Sequence, residues 1–86
     1  MNFGNLGVLF LFLGDYAKAK EYYEEALVIR KAIGDRNGEA LDYQNLGIVF
    51  QFLKDYEKAE EYLEKGLSLS EEIGHVEKQF SLLLQN

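Results

Sequence analysis

The stretch Asn5-Leu6-Gly7-Val8-Leu9-Phe10-Leu11-Phe12-Leu13-Gly14-Asp15-Tyr16 returns forty residues later as Asn45-Leu46-Gly47-Ile48-Val49-Phe50-Gln51-Phe52-Leu53-Lys54-Asp55-Tyr56. The correspondence runs on outward, with Glu21-Tyr22 repeated as Glu61-Tyr62 and Ile33-Gly34 as Ile73-Gly74. Sixteen of the thirty positions from 5 to 34 are identical in the copy, without a gap. A period of this length marks a stacked helical array, in which each unit buries its apolar face only against its neighbours.

Within each unit the pattern predicts two helices joined by a tight turn. The first helix runs from about 38 to 53 in the second copy and is already under way at Met1 in the first. Asp15 and Asp55 stand where a carboxylate caps the free N–H groups of the second helix. Gly34 and Gly74 stand where a helix ends in a left-handed residue, and Asp35 is placed to cap the next first helix. The second helix is one-sided, with Tyr16, Ala19, Tyr23, Ala26 and Leu27, then Tyr56, Ala59, Leu63 and Leu67, at intervals of three and four. The first helix carries two apolar stripes. Phe3, Leu6, Phe10 and Leu13, with Tyr43, Leu46, Phe50 and Leu53, are expected against the second helix. Val8, Leu11 and Phe12, with Ile48 and Phe52, point elsewhere.

Composition narrows the function. A chain of 86 residues forms one domain, 1–86, read as a first repeat over about 1–34, a second over about 35–74 and a terminal helix over about 75–86. A formal charge of −6, from nine bases scattered among fifteen acids, argues against nucleic acid as a partner. Without cysteine there are no disulfides or thiolate metal sites, which leaves the redox compartment open, and a cytoplasmic location is the default expectation. The run from Leu6 to Leu13 has the apolarity of a signal peptide, but its mid-chain copy from Leu46 to Leu53 makes it an element of the repeat. It is too short to span a bilayer, so no membrane partner is expected.

Phe3, Leu6-Gly7 and Phe10 on the first helix, then Ala19, Tyr23 and Ala26 on the second, recur as Tyr43, Leu46-Gly47, Phe50, Ala59, Leu63 and Gly66. This pattern resembles that of tetratricopeptide repeat proteins, over almost the whole chain. The resemblance implies an all-α fold of antiparallel helix-turn-helix repeats, stacked as a short right-handed superhelical solenoid of about two units plus a C-terminal helix. Two features depart from the usual pattern: a proline near the end of the second helix is absent, and the period is forty. With Gly34-Asp35-Arg36-Asn37-Gly38-Glu39-Ala40, this is similar to the variety in spindle-orientation adaptors of the Pins and LGN type and in kinesin light chains. Gly66 in place of alanine is expected to leave a small gap.

The resemblance further implies a protein-interaction scaffold, not an enzyme, whose first helices line a concave groove for a peptide or helix of a partner. Carried over, that groove shows Asn5, Val8, Leu11 and Phe12, then Gln44, Asn45, Ile48, Gln51 and Phe52. The asparagine amides suit a ligand backbone, since each both donates and accepts, although each equally suits a solvated helix face. Phe12 and Phe52 offer aromatic area to an apolar anchor, or lie under the next repeat or another chain. No Lys or Arg falls on this face, so an apolar or basic ligand segment is expected in preference to an acidic peptide terminus. No cofactor and no metal are expected: the Glu pairs at 24–25, 60–61 and 71–72 read as solvated helix surface, and His75 as a helix-terminal residue without a nucleophile beside it.

The first helix lacks an opening turn by comparison with residues 39–45, and 76–86 reads as a third first-helix with Gln85-Asn86 echoing Gln44-Asn45. Arrays of this kind gain stability from about three units. Self-association, or attachment to further repeats in a longer parent, is therefore expected, and the alternative function is a self-assembling repeat whose apolar groove and ends, Phe80, Leu82, Leu83 and Leu84 among them, form a homo-oligomer.

Overall fold

Three aspartates set the phase of the chain. In the computed structural model, which describes residues 3–85, the helices are α1 (Phe3–Phe12), α2 (Tyr16–Ile33), α3 (Arg36–Phe52) and α4 (Tyr56–Leu84), with no strand among the described residues. Asp15, Asp35 and Asp55 cap α2, α3 and α4, their carboxylates accepting from the N–H groups of Lys18 (3.2 Å), Gly38 (2.9 Å) and Lys58 (3.2 Å). Each cap satisfies a donor that the first helical turn leaves without an intrahelical acceptor. Gly34 closes α2 in the left-handed region, φ 74°, and returns its N–H to the carbonyls of Arg30 and Lys31. The expectation of a helix already running at Met1, and the echo of Asn45 in Asn86, fall outside the described residues.

Consecutive helices pack on one another in antiparallel fashion, α1 on α2, α2 on α3 and α3 on α4. The aromatic repeat does the same work twice. Phe10 stacks on Tyr22 with ring centroids 5.3 Å apart, and Phe50 stacks on Tyr62 at 5.3 Å. Phe3 and Tyr43 each stand 6.1 Å from the same tyrosines. Such ring pairs add about 0.5–1.5 kcal/mol beyond the area they bury. Glycine lets the helices of each hairpin approach: a Cβ on Gly7 would come within 2.9 Å of the Tyr23 ring, and one on Gly47 within 2.6 Å of Leu63 Cγ. Gly66 leaves no gap, contrary to expectation, because α3 closes on it. A Cβ there would meet Gln44 Cγ at 2.9 Å and the Ala40 carbonyl at 3.2 Å.

The core lies where α2 and α3 meet their neighbours, with Ala19, Tyr23, Leu27, Leu46, Val49, Phe50 and Ala59 buried in one cluster. Leu13 and Leu53, expected in the stripe against the second helix, are instead exposed at the end of their helices. Tyr56 and Leu67 are exposed as well, since no helix lies over that side of α4 among the described residues.

The expected break at Gly74, with a separate terminal helix over 75–86, is absent. α4 runs unbroken through it to Leu84, and Gly74 does not take a left-handed conformation. The reason lies one residue on. In the first unit Asp35 both caps α3 and receives Arg30 in a 2.7 Å ion pair, which fixes the turn after Gly34. The copy has His75 for Asp35 and Ser70 for Arg30, so neither the cap nor the latch is available. Without them the backbone hydrogen bonds of a continuing helix are the better solution, at a cost of about 1 kcal/mol for the internal glycine.

Candidate interaction surface

Each residue expected in the groove can be placed on a helix face. Helix α3 is held from two sides: Asp42, Leu46 and Val49 are buried toward α2, and Ala40 and Gly47 toward α4. What remains open is a stripe at i, i+4, i+7 and i+11, namely Leu41, Asn45, Ile48 and Phe52. On α1 the equivalent positions are Asn5, Val8 and Phe12, all exposed. Neither stripe carries a charge.

Three of the expected residues leave this face. Gln44 turns to α4 and lies against Gly66. Gln51 borders an open groove with Tyr56, Leu63 and Leu67 of α4. Leu11 packs against the buried cluster. Phe52 is shared between two roles, half exposed on the stripe while its ring stacks on Tyr16 of α2 at a centroid distance of 4.8 Å. Leu41 is the residue that sequence reading passed over. Its spacing from Asn45 and Ile48 carried the signal, but its counterpart falls at Met1, ahead of the segment where the two copies can be compared.

The acids whose ionisation the fold displaces, Tyr23, Asp35 and Asp42, lie at the α2–α3 junction. Asp42 is buried, and one carboxylate oxygen lies 3.5 Å from Arg30 Nε, too far for a well-formed hydrogen bond. Burial pushes its carboxyl above the ordinary carboxylate range, with Arg30 opposing. Asp35 moves the other way, held low by the Gly38 N–H and then by Arg30. Burial, assisted by Asp42, raises the Tyr23 phenol. His75 is exposed with its Nε2 3.2 Å from Gln79 Nε2. Among the described residues no cluster of three or more His, Cys, Asp or Glu side chains could hold a metal ion, and no helix is long and apolar enough to cross a membrane.

Paired antiparallel helices, glycine at the close crossings and an uncharged face on the first helix of each pair define a helical repeat protein. The family profile of the tetratricopeptide repeat matches residues 1–72, and the chain belongs to that family. No curated protein matches the chain. Members of this family generally mediate protein–protein interaction or scaffolding, and generally do so without catalysis of their own.

Proposed function

We propose that the chain is an interaction module that receives an extended or helical segment of a partner protein on the stripes of α1 and α3. The observation that carries this reading is the uncharged stripe in which Leu41, Ile48 and Phe52 are exposed around a half-buried Asn45, where every other face of α3 is covered or polar. Its continuation on α1 is Asn5, Val8 and Phe12. Large side chains at helical spacing suit apolar anchors three and four residues apart on the partner, and the asparagines suit its backbone. The charge of −6 favours basic residues flanking those anchors. Ile48→Glu and Val8→Glu place a charge on the stripe without touching the core. Each is expected to weaken a captured apolar or basic peptide at least tenfold in calorimetric titration, with the helical circular dichroism unchanged. Tight, salt-sensitive binding of an acidic C-terminal peptide, insensitive to both changes, would overturn the reading.

A second reading, self-association, draws on a separate observation. Phe12, Tyr56, Leu67 and Leu83 remain exposed at the ends of the stack, beyond what isolated surface apolar residues account for.

A further inference from the structure

The junction between the two repeats is a lock whose two halves both recur, unfilled, elsewhere on the chain. At that junction α3 lies against α2, burying Tyr23 and Leu27 of α2 together with Val49 of α3, and Phe52 stacks on Tyr16. Forty residues on, α3 and α4 frame an open groove of about 370 Å³ lined by Gln51, Tyr56, Ala59, Leu63 and Leu67. These are the counterparts of Leu11, Tyr16, Ala19, Tyr23 and Leu27. Leu27 is 8% exposed and Leu67 is 58% exposed. At the other end, α1 repeats the docking face of α3. Val49 is fully buried whereas its counterpart Leu9 is 41% exposed, and Phe52 is 52% exposed whereas Phe12 is 91% exposed. Tyr56, Ala59 and Leu67 repeat the residues of the internal junction, whereas Gln51 stands for Leu11, Leu63 for Tyr23 and, on α1, Leu9 for Val49; Leu67, Leu9 and Phe12 are each more exposed than their counterparts, for want of a covering helix among the described residues.

We infer that α1 of a second copy of this chain docks in the α3–α4 groove, in the register of the α2–α3 junction, with Phe12 on Tyr56. The inference rests on the self-association reading above and supplies its geometry. The contact is head to tail: the face used on one copy differs from the face used on the other, so each added copy presents a fresh groove and assembly does not stop at a dimer. Helix α1 brings no charged residue to the contact, so nothing on it pairs with Glu60 and Glu64, which line the groove beside its apolar residues. Its polar part is not reproduced, because Ser70 stands for Arg30, whose guanidinium holds Asp35 and Asp42 at the internal junction. Apolar burial therefore drives the association, which responds weakly to salt.

The test uses the full chain and two variants, Leu9→Glu on the α1 face and Leu67→Glu in the groove. Neither position belongs to the stripe assigned to a partner peptide. Light scattering over a wide concentration range is expected to show the wild-type mass rising past two chains. Each variant alone stays monomeric, with unchanged helical circular dichroism, where the wild type is more than half assembled. An equimolar mixture of the two variants forms a complex of two chains and nothing larger, because one intact face of each kind remains. Wild-type protein that stays monomeric overturns both self-association and this register. Wild-type protein that associates, while the variants also associate or their mixture remains monomeric, overturns the register alone and moves the contact to another surface, such as the end of α4.

Discussion

Lys54 holds a left-handed backbone, φ 65°, at the position where the first unit has Gly14 at φ 80°. A side chain in that conformation crowds the following carbonyl, and glycine does not. Lys54→Gly is expected to stabilise the protein by about 1 kcal/mol, read as a higher urea midpoint with an unchanged slope. The two aspartates at the α2–α3 junction make opposite contributions to the pH dependence of folding. Asp42 has a raised folded pKa, so its contribution is whole below its unfolded value and is lost as pH rises through the folded one. Asp35 has a lowered folded pKa, so its contribution is present above its unfolded value and is lost as pH falls through the folded one. Asp42→Asn removes only the first, and its stability relative to wild type is expected to climb from acid to neutral pH. Unfolding midpoints that run parallel across that range would show that Asp42 does not titrate differently in the two states. The three aspartate caps and the Gly34 turn are legible in the sequence because a cap acts within four residues. The burial of Asp42 is not, since it depends on Arg30 arriving from another helix.

The element that sequence reading misjudged is α4. Gly74 repeats Gly34 in the sequence, yet the chain passes through it as a helix, because the stop in the first unit is made by Asp35 and Arg30 together. Gly74 therefore sits in a helix interior with nothing within 4 Å of where a Cβ would stand. Gly74→Ala is expected to raise stability by about 1 kcal/mol, the ordinary helix preference of alanine over glycine. Gly47→Ala, the same exchange, is expected to lower it. There the Cβ meets Leu63 Cγ at 2.6 Å and the Ala59 carbonyl at 3.3 Å, and crowding of about 1–3 kcal/mol outweighs the helix preference. Thermal melts of the two variants compare them directly, and a shift of the same sign in both would refute the packing argument. Whether a glycine closes a helix, eases a crossing or simply weakens a turn is decided by what stands opposite, which local sequence does not encode.

Across the whole molecule, 51 Å in its longest dimension, apolar surface is distributed by how many neighbours each helix has. Helices α2 and α3 are covered on both sides, whereas α1 and α4 each keep one docking face open among the described residues. If that face drives assembly, the wild-type association constant is expected to change little between low and high salt, and a steep dependence would point to ion pairing instead. The forty-residue period, the helix phases and the capping aspartates were determined by the sequence alone, because each depends on spacing within one unit or on identity between two. The spacing of Val8, Phe12, Ile48 and Phe52 was also legible there as a second, uncharged stripe, which Asn5 and Asn45 joined only through the family resemblance. Only the tertiary structure decided that Gln44, Gln51 and Leu11 turn away from it, that Leu41 joins it, that Phe52 leans on Tyr16 and that α4 continues past Gly74. Each of these depends on which side chain a neighbouring helix sets opposite, and the two copies, alike in sequence, differ in the neighbours they have.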